Sequence, residues 1–285
     1  MLPKDVFEKL GGFDEIFSPG YCEDSDLAFR VRQLGFRAVY QPKSELFHFE
    51  GITSGTDLNV GMKKYQLINN KKFFERWRDI LDKENLNDTI EGSFLARDRS
   101  KNKKTVLVID HYVPTFDKDA GSRTVYQYIK LLCDLNYNVK FIGDNFGKEE
   151  PYTGAMQQMG VEVLFGGHYE KNWRDWVQKN SQFIDFVFIN RPHIFVRYID
   201  FIKKHTKAKI IYYGHDLHFL RTKREYELTG DKKLLKESKM WKDAEFDIMK
   251  KADISMYPSQ VEVDEINNSD ANIRVQTITA YMYDN

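Results

Sequence analysis

The chain has 285 residues, with 43 basic and 43 acidic side chains and a formal net charge of zero. That balance argues against a dedicated nucleic-acid binder, and the two cysteines, Cys22 and Cys133, have no second Cys or His at ligand spacing, so neither a disulfide framework nor a zinc site is indicated. The N-terminal stretch has no apolar run and no segment reaches the apolar length of a membrane span, so a cytoplasmic protein without a transmembrane segment is expected, with peripheral contact at the inner face of a membrane left open.

From Met1 to about Gly51 the pattern is short and irregular, with turn glycines at 11, 12, 20 and 35. A helix is expected from Ser25 to Leu34, with Leu27, Val31 and Leu34 on one face. Phe36 to Tyr40 alternates like a strand stopped by Pro42, and Glu45 to His48 reads as a second short strand. A covering helix follows from Gly61 to Asp82, with Tyr65, Ile68, Phe73, Trp77 and Leu81 as its packing stripe. Around the start of the Ser25 to Leu34 helix, Glu23, Asp24 and Asp26 sit close to Phe13, Phe17, Tyr21, Leu27 and Phe29 in the sequence. Carboxylates crowded against an apolar floor have raised pKa values, which makes one of them a candidate general base. The same acids also suit the positive end of the helix they begin.

Residues 83–103 turn polar and mixed in charge and read as a linker between a first domain, 1–82, and a second, 104–285. Beyond it, apolar strands alternate with amphipathic helices: Thr105 to Ile109, Asn138 to Gly143, Val161 to Phe165, Phe186 to Ile189, Lys209 to Tyr213 and Ile254 to Tyr257, with Val275 to Thr279 as one more. Near-continuous apolar strands joined through helices indicate an α/β, Rossmann-like parallel sheet covered on both faces.

Ligands of such sheets gather at the carboxyl ends of the strands. After the first strand come Asp110-His111-Tyr112 and then Asp119-Ala120-Gly121-Ser122; Ser122 is read as the cap of the next helix, and Gly121 lets backbone amides approach a phosphate or a sugar hydroxyl. A capped helix with no ligand explains this loop equally well. Arg191, after the fourth strand, suits an anionic group, and His215, after the fifth, suits a sugar hydroxyl. His193 and His218 read as structural. Glu245, on a long polar helix, is placed facing the cleft. Neither a nicotinamide glycine fingerprint nor a Walker loop is present.

Gly11-Gly12-Phe13-Asp14-Glu15, Glu23-Asp24-Ser25-Asp26-Leu27, Arg30, Gly35, His48, Glu50-Gly51 and Ser54, followed by Asn70, Phe73 and Trp77-Arg78, resemble the C-terminal part of a family-two glycosyltransferase of the GT-A fold. The resemblance implies that Asp24 is the base that deprotonates an acceptor hydroxyl, with Glu23 beside it at the acceptor. It also implies that His48 ligates a divalent metal, Mn or Mg, that holds the donor diphosphate. The second half, through the strand Val106 to Ile109, Gly121, Glu245 and Ala252-Asp253 before Ser259, resembles the N-terminal Rossmann-like domain of a family-four GT-B glycosyltransferase, which chiefly takes the acceptor. A nucleotide-sugar donor and a glycan or lipid-linked acceptor are the implied partners. A complete GT-A module would begin with a nucleotide-binding half and an Asp-x-Asp motif, so the chain is expected to be an internal piece of a larger transferase of surface-polysaccharide synthesis, its flanking domains missing and the piece itself inactive. The competing expectation is a non-enzymatic module that binds a glycan or a partner.

Overall fold

The computed structural model describes residues 2–39, 44–47, 61–84 and 93–279. Two compact units result, Met1–Asn85 and Leu86–Asn285.

The first unit is helical. Its helices are α1 (Lys4–Lys9), α2 (Glu23–Gln33) and α3 (Lys64–Glu84), with short 3-10 turns at Glu15–Phe17 and Gly61–Lys63. Asp14 starts the first of these turns by accepting the Ile16 amide at 3.0 Å. The Phe29 ring of α2 packs against Phe73 and Trp77 of α3, with centroids 5.2 and 5.0 Å apart, and a buried polar centre joins the same two helices. Asp26, fully buried, accepts from Arg30 Nε at 2.7 Å and from Trp77 Nε1 at 2.9 Å, and the remaining Arg30 nitrogens donate to the carbonyls of Leu10 and Gly12 at 2.8 Å each. One ion pair thus ties the Gly11-Gly12 turn to both helices.

The stripe expected on α3 is offset. Trp77 and Leu81 are buried, but Ile68 is 47% exposed and its neighbour Asn69 is fully buried instead. Asn69 Nδ2 donates to the Phe17 and Gly20 carbonyls at 2.6 and 2.7 Å, so hydrogen bonding has overruled hydropathy there. Leu34, expected on the packed face of α2, is exposed as well. The strands expected at Phe36 to Tyr40 and Glu45 to His48 are absent from their described parts, 36–39 and 44–47. The described residues of this unit contain no strand to pair with, and an unpaired extended segment has no ladder to satisfy its amides.

In the second unit, residues 93–103 fall within the stretch expected to be a linker, yet they begin with α4 (Ser93–Ala96), whose Phe94 is buried. The seven strands are β1 (Thr105–Asp110), β2 (Asn138–Gly143), β3 (Glu162–Leu164), β4 (Phe186–Asn190), β5 (Lys209–Tyr213), β6 (Ile254–Tyr257) and β7 (Val275–Thr277). They form one parallel sheet in the order β3-β2-β1-β4-β5-β6-β7. The fold is therefore α/β and Rossmann-like, and every strand foreseen in this half is present. Lys140 of β2 explains how α4 is held: its side chain, almost wholly buried, pairs with Asp98 and with Glu162 at 2.8 Å and lies over the Phe94 ring.

The connecting helices are α5 (Ala120–Asp134), α6 (Tyr152–Gln158), α7 (Gly167–Asn180), α8 (Pro192–His205), α9 (His218–Thr229), α10 (Lys232–Lys251) and α11 (Gln260–Ser269). Successive residues of β1 serve opposite cores. Leu107 and Ile109 join Phe195, Tyr198 and Ile199 of α8, whereas Val106 and Val108 join Val125 and Ile129 of α5. A strand buried on both faces must be apolar throughout, and this produces the continuous run Val106-Leu107-Val108-Ile109.

Candidate functional site

The strand order reverses at the middle of the sheet: from β1 the chain proceeds outward to β2 and β3, then returns to β4 on the other side of β1 and continues to β7. The loops leaving β1 and β4 therefore diverge, and a crevice opens at the carboxyl edge between them. Open α/β sheets take ligands at such a switch point.

The crevice is bridged by an ion pair. Asp110, the last residue of β1 and 2% exposed, accepts from Arg191 Nε at 2.8 Å and from the His111 amide at 2.8 Å. Burial pushes the Asp110 carboxyl above the ordinary range, and Arg191 pulls against that shift. Arg191 itself follows β4 and is anchored by its main-chain N–H, which donates to Tyr213 O at 3.1 Å. Pro192 then opens α8, a position where a missing N–H costs nothing.

The non-glycine residues that follow β4 and β5 both adopt the left-handed backbone, Arg191 at φ 64° and His215 at φ 61°. Each stands just after a strand, and β4 and β5 are neighbours. Strain of that kind is held only where the surrounding structure fixes it, and it gathers at functional sites. The His215 ring packs edge-on against Tyr213, and its Nε2 is buried with no hydrogen-bond partner among the described residues. Burial first, and the Arg191 charge second, lower the His215 pKa to about 3; the same two causes take His111 to about 4. Both imidazoles are therefore neutral at pH 7. The 3.7 Å approach of His111 Nδ1 to Asp110 is accordingly a contact of a neutral ring with a carboxylate and not an ion pair. His193, exposed in the first turn of α8, holds its ring nearly parallel to that of His111 with centroids 6.1 Å apart.

The first turn of α5 closes this group. Gly121 leaves no space for a side chain: a Cβ there would lie 2.9 Å from Arg191 Nη2 and 3.6 Å from His215 Cε1. The loops after β1, β4 and β5 thus meet at one point, with Gly121, Arg191 and His215 brought together from positions up to 94 residues apart. Ser122 does not cap α5. The N-cap is Asp119, whose Oδ1 accepts the Ser122 amide at 2.8 Å and whose Oδ2 takes the Ser122 hydroxyl at 2.6 Å. A carboxylate three residues upstream is the better acceptor for that amide, and it leaves Ser122 buried and occupied.

Gly121→Ala is an informative probe of this arrangement. The atom in its way is the tip of a flexible guanidinium, and Ala is the better helix former by about 0.8–1.0 kcal/mol in a helix interior. The expected result is a urea midpoint within about 1 kcal/mol of the parent, with the Arg191 guanidinium displaced and its side-chain NMR resonances shifted. Unmoved Arg191 resonances would contradict the close packing described.

The remaining expected site residues lie elsewhere. His218 is structural, as anticipated: its amide donates to Glu245 Oε1 at 2.8 Å and its ring Nδ1 lies 2.9 Å from the same oxygen. The Phe219 amide also donates to Glu245, at 3.1 Å, so this fully buried carboxylate caps α9 and does not face the crevice. In the first unit, Asp24 is exposed in the first turn of α2, and its Oδ1 accepts the Ser25 amide at 2.7 Å. Glu23 is half-buried, with Oε2 shielded and unpartnered among the described residues. The apolar floor foreseen beneath these acids is incomplete, since Phe13 is 52% exposed, and the acid that is buried, Asp26, is neutralised by Arg30. His48, with Glu50, Gly51 and Ser54, lies outside the described residues. Among the described residues no group of three or more His, Cys, Asp or Glu is placed to hold a metal, and no step proposed below passes through one.

Sequence reasoning left Asp110, His111 and His193 out of the site. For Asp110 a signal existed, a lone acid ending a strand that is otherwise apolar; for His193 only the strand order puts it beside His111.

No family model matches the chain, and no curated protein does. Among solved structures it is similar to one described as the GsuK channel bound to NAD, at 10% identity and a TM-score of 0.29, over 75% of this chain and 34% of that one. The chain thus spans about a third of that protein's length. So slight a likeness carries no argument, and the description of the fold stands on the strand pairing alone. No helix among the described residues is long and apolar enough to cross a membrane.

Proposed function

We propose that the chain is part of a glycosyltransferase that moves a sugar from a nucleotide-sugar donor to a glycan or lipid-linked acceptor, with the substrate crevice of its second unit at the β1/β4 switch point. The observation that carries this reading is the meeting of Gly121, Arg191 and His215 at that crevice. Its chemistry suits a polyhydroxylated, anion-bearing substrate. The guanidinium offers N–H donors to phosphate oxygens, neutral imidazoles exchange hydrogen bonds with hydroxyls, and a side-chain-free first helical turn lets a ligand approach backbone amides. An ion pair buried beneath them keeps the donors aimed before the ligand arrives.

The first unit is read as the acceptor-side part of a GT-A module with Asp24 as general base. Its exposed carboxylate in the first turn of α2 is accessible to an alcohol, and taking the alcohol's proton as the oxygen attacks the sugar carbon is worth about 10²–10⁴-fold in rate.

Titration of the chain with uridine, guanosine and cytidine diphosphate sugars, followed by amide and imidazole NMR, tests the crevice. Shifts concentrated at Gly121, Arg191 and His215 are expected, and shifts elsewhere would sink the assignment. In the complete protein, Asp24→Asn is expected to lower transfer by the first module at least 100-fold with donor binding retained; unchanged turnover would remove Asp24 from the chemistry. Glycan binding with no transfer by any complete form would favour the non-enzymatic module.

A further inference from the structure

A groove outside the crevice lies on the outer surface of α5. Its volume is about 620 Å³, within the range of roughly 300–1,000 Å³ that small-ligand pockets occupy. Two half-buried aromatic rings line it, Phe116 and Tyr126, with centroids 4.2 Å apart and planes tilted by 37°. Around them stand Asp117 and Asp134, Arg123 and Lys130, and the amide of Gln127. The charges are two of each sign, so the groove favours neither an anion nor a cation. The platform is braced from behind: Tyr152 meets the Phe116 ring edge-on at 5.1 Å, and its hydroxyl donates to Asp117 Oδ1 at 2.5 Å, which fixes that carboxylate.

The groove also adjoins the crevice through the chain. One loop leaves β1, passes His111 at the crevice and Phe116 and Asp117 at the groove, and ends at Asp119. There Tyr112 OH donates to Asp119 Oδ2 at 3.0 Å, which pins the loop to the N-terminus of α5.

We infer that this groove binds a short neutral glycan, a few pyranose units of the acceptor chain, beyond the reacting end held in the crevice. The inference rests on the glycosyltransferase reading of that crevice. Aromatic rings with little rotamer entropy to lose accept the apolar face of a pyranose, and the fixed carboxylate, the guanidinium and the carboxamide supply paired acceptors and donors for its hydroxyls. A free phosphate or a purely apolar ligand would leave half of these groups unused.

The test is binding of neutral tetrasaccharides of β-1,4-glucose, α-1,4-glucose, β-1,4-N-acetylglucosamine and β-1,3-galactose to the full chain, read by amide NMR. At least one is expected to shift the amides of Phe116, Tyr126 and Gln127. Tyr126→Ala should weaken that tetrasaccharide at least tenfold, and Asp117→Asn, which keeps the shape, at least threefold, with thermal unfolding used to show both variants folded. Leu228→Ala, at an exposed position of α9 away from both crevice and groove, should leave it within twofold. The proposal is overturned if no tetrasaccharide binds, or if Tyr126→Ala and Asp117→Asn both leave binding within twofold of the parent. Failure of the crevice reading shows separately, as nucleotide sugars that leave Gly121, Arg191 and His215 unshifted.

Discussion

Gly214→Ala is expected to destabilise the second unit by about 3 kcal/mol, at the upper end of what one added methyl costs in a packed core. A Cβ at Gly214 would lie 2.2 Å from Tyr257 Cε1, 2.3 Å from Cζ and 2.6 Å from the hydroxyl. Tyr257 has no room to withdraw, being fully buried on β6 with its ring against Tyr212. Nor do the strands separate freely, because the Gly214 amide donates to Met256 O at 3.1 Å. The exit of β5 must then shift and take His215 with it, so under the proposed function nucleotide-sugar binding falls along with stability. For a domain of this size the melting temperature drops by roughly 6–12 °C. A fall under about 2 °C would show that the contact relaxes at no cost. The pair with Tyr257→Ala checks the mechanism: removing the ring relieves the clash, so the double variant should lose at least about 1 kcal/mol less than the two singles added. Gly121 makes the contrast, since there the obstructing atom belongs to a side chain that can swing aside.

The difference between these two glycines marks how far sequence carries. Both stand next to residues that the strand pattern places at the carboxyl edge. Nothing in the order of residues says that one abuts a locked ring and the other a guanidinium. The strands of the second unit were legible because a doubly covered parallel strand is apolar through its middle, as residues 106–109 of β1 and 186–189 of β4 are. The edge was legible for the same reason, and Arg191 and His215 followed from it. Their left-handed backbone was not, since that conformation is imposed by packing against the inclination of the residue. In the first unit the periodicity misled at Ile68 and Asn69, because a polar side chain that finds two carbonyls becomes core. It misled again at 36–39 and 44–47, because alternation marks a strand only where a neighbour offers a ladder. Asp98, in a stretch that reads as linker, pairs with a lysine 42 residues away that hydropathy would never place inside a sheet.

Arg191→Ala carries the second large effect. It leaves Asp110, 2% exposed, without its cation, and breaking a buried pair from one side costs about 3–5 kcal/mol. The loss depends on pH in a direction fixed by linkage. The folded Asp110 pKa already lies above the unfolded value of about 3.9, so the native state holds the extra proton and stability declines as pH rises from there through the folded value. Without Arg191 the folded value climbs further, and the variant's deficit grows across that whole window. His111 and His215 act in the same sense. Their folded pKa values lie below the unfolded value of about 6.5, which costs the parent stability as pH falls beneath it; removing the guanidinium eases that cost. Urea unfolding at pH 8, 6 and 4 should therefore show the parent and Arg191→Ala converging toward acid. Asp110→Asn placed on top of Arg191→Ala should recover at least about 1 kcal/mol at pH 8, because the orphaned charge is gone. Imidazole titrations provide an independent reading, with both His111 and His215 moving up from about 4 and about 3 yet staying below 6.5, since burial, the larger cause, remains. Equal deficits at every pH, or no recovery by Asp110→Asn, would mean that Arg191 holds the crevice by packing alone and that its charge is not what keeps Asp110 in place.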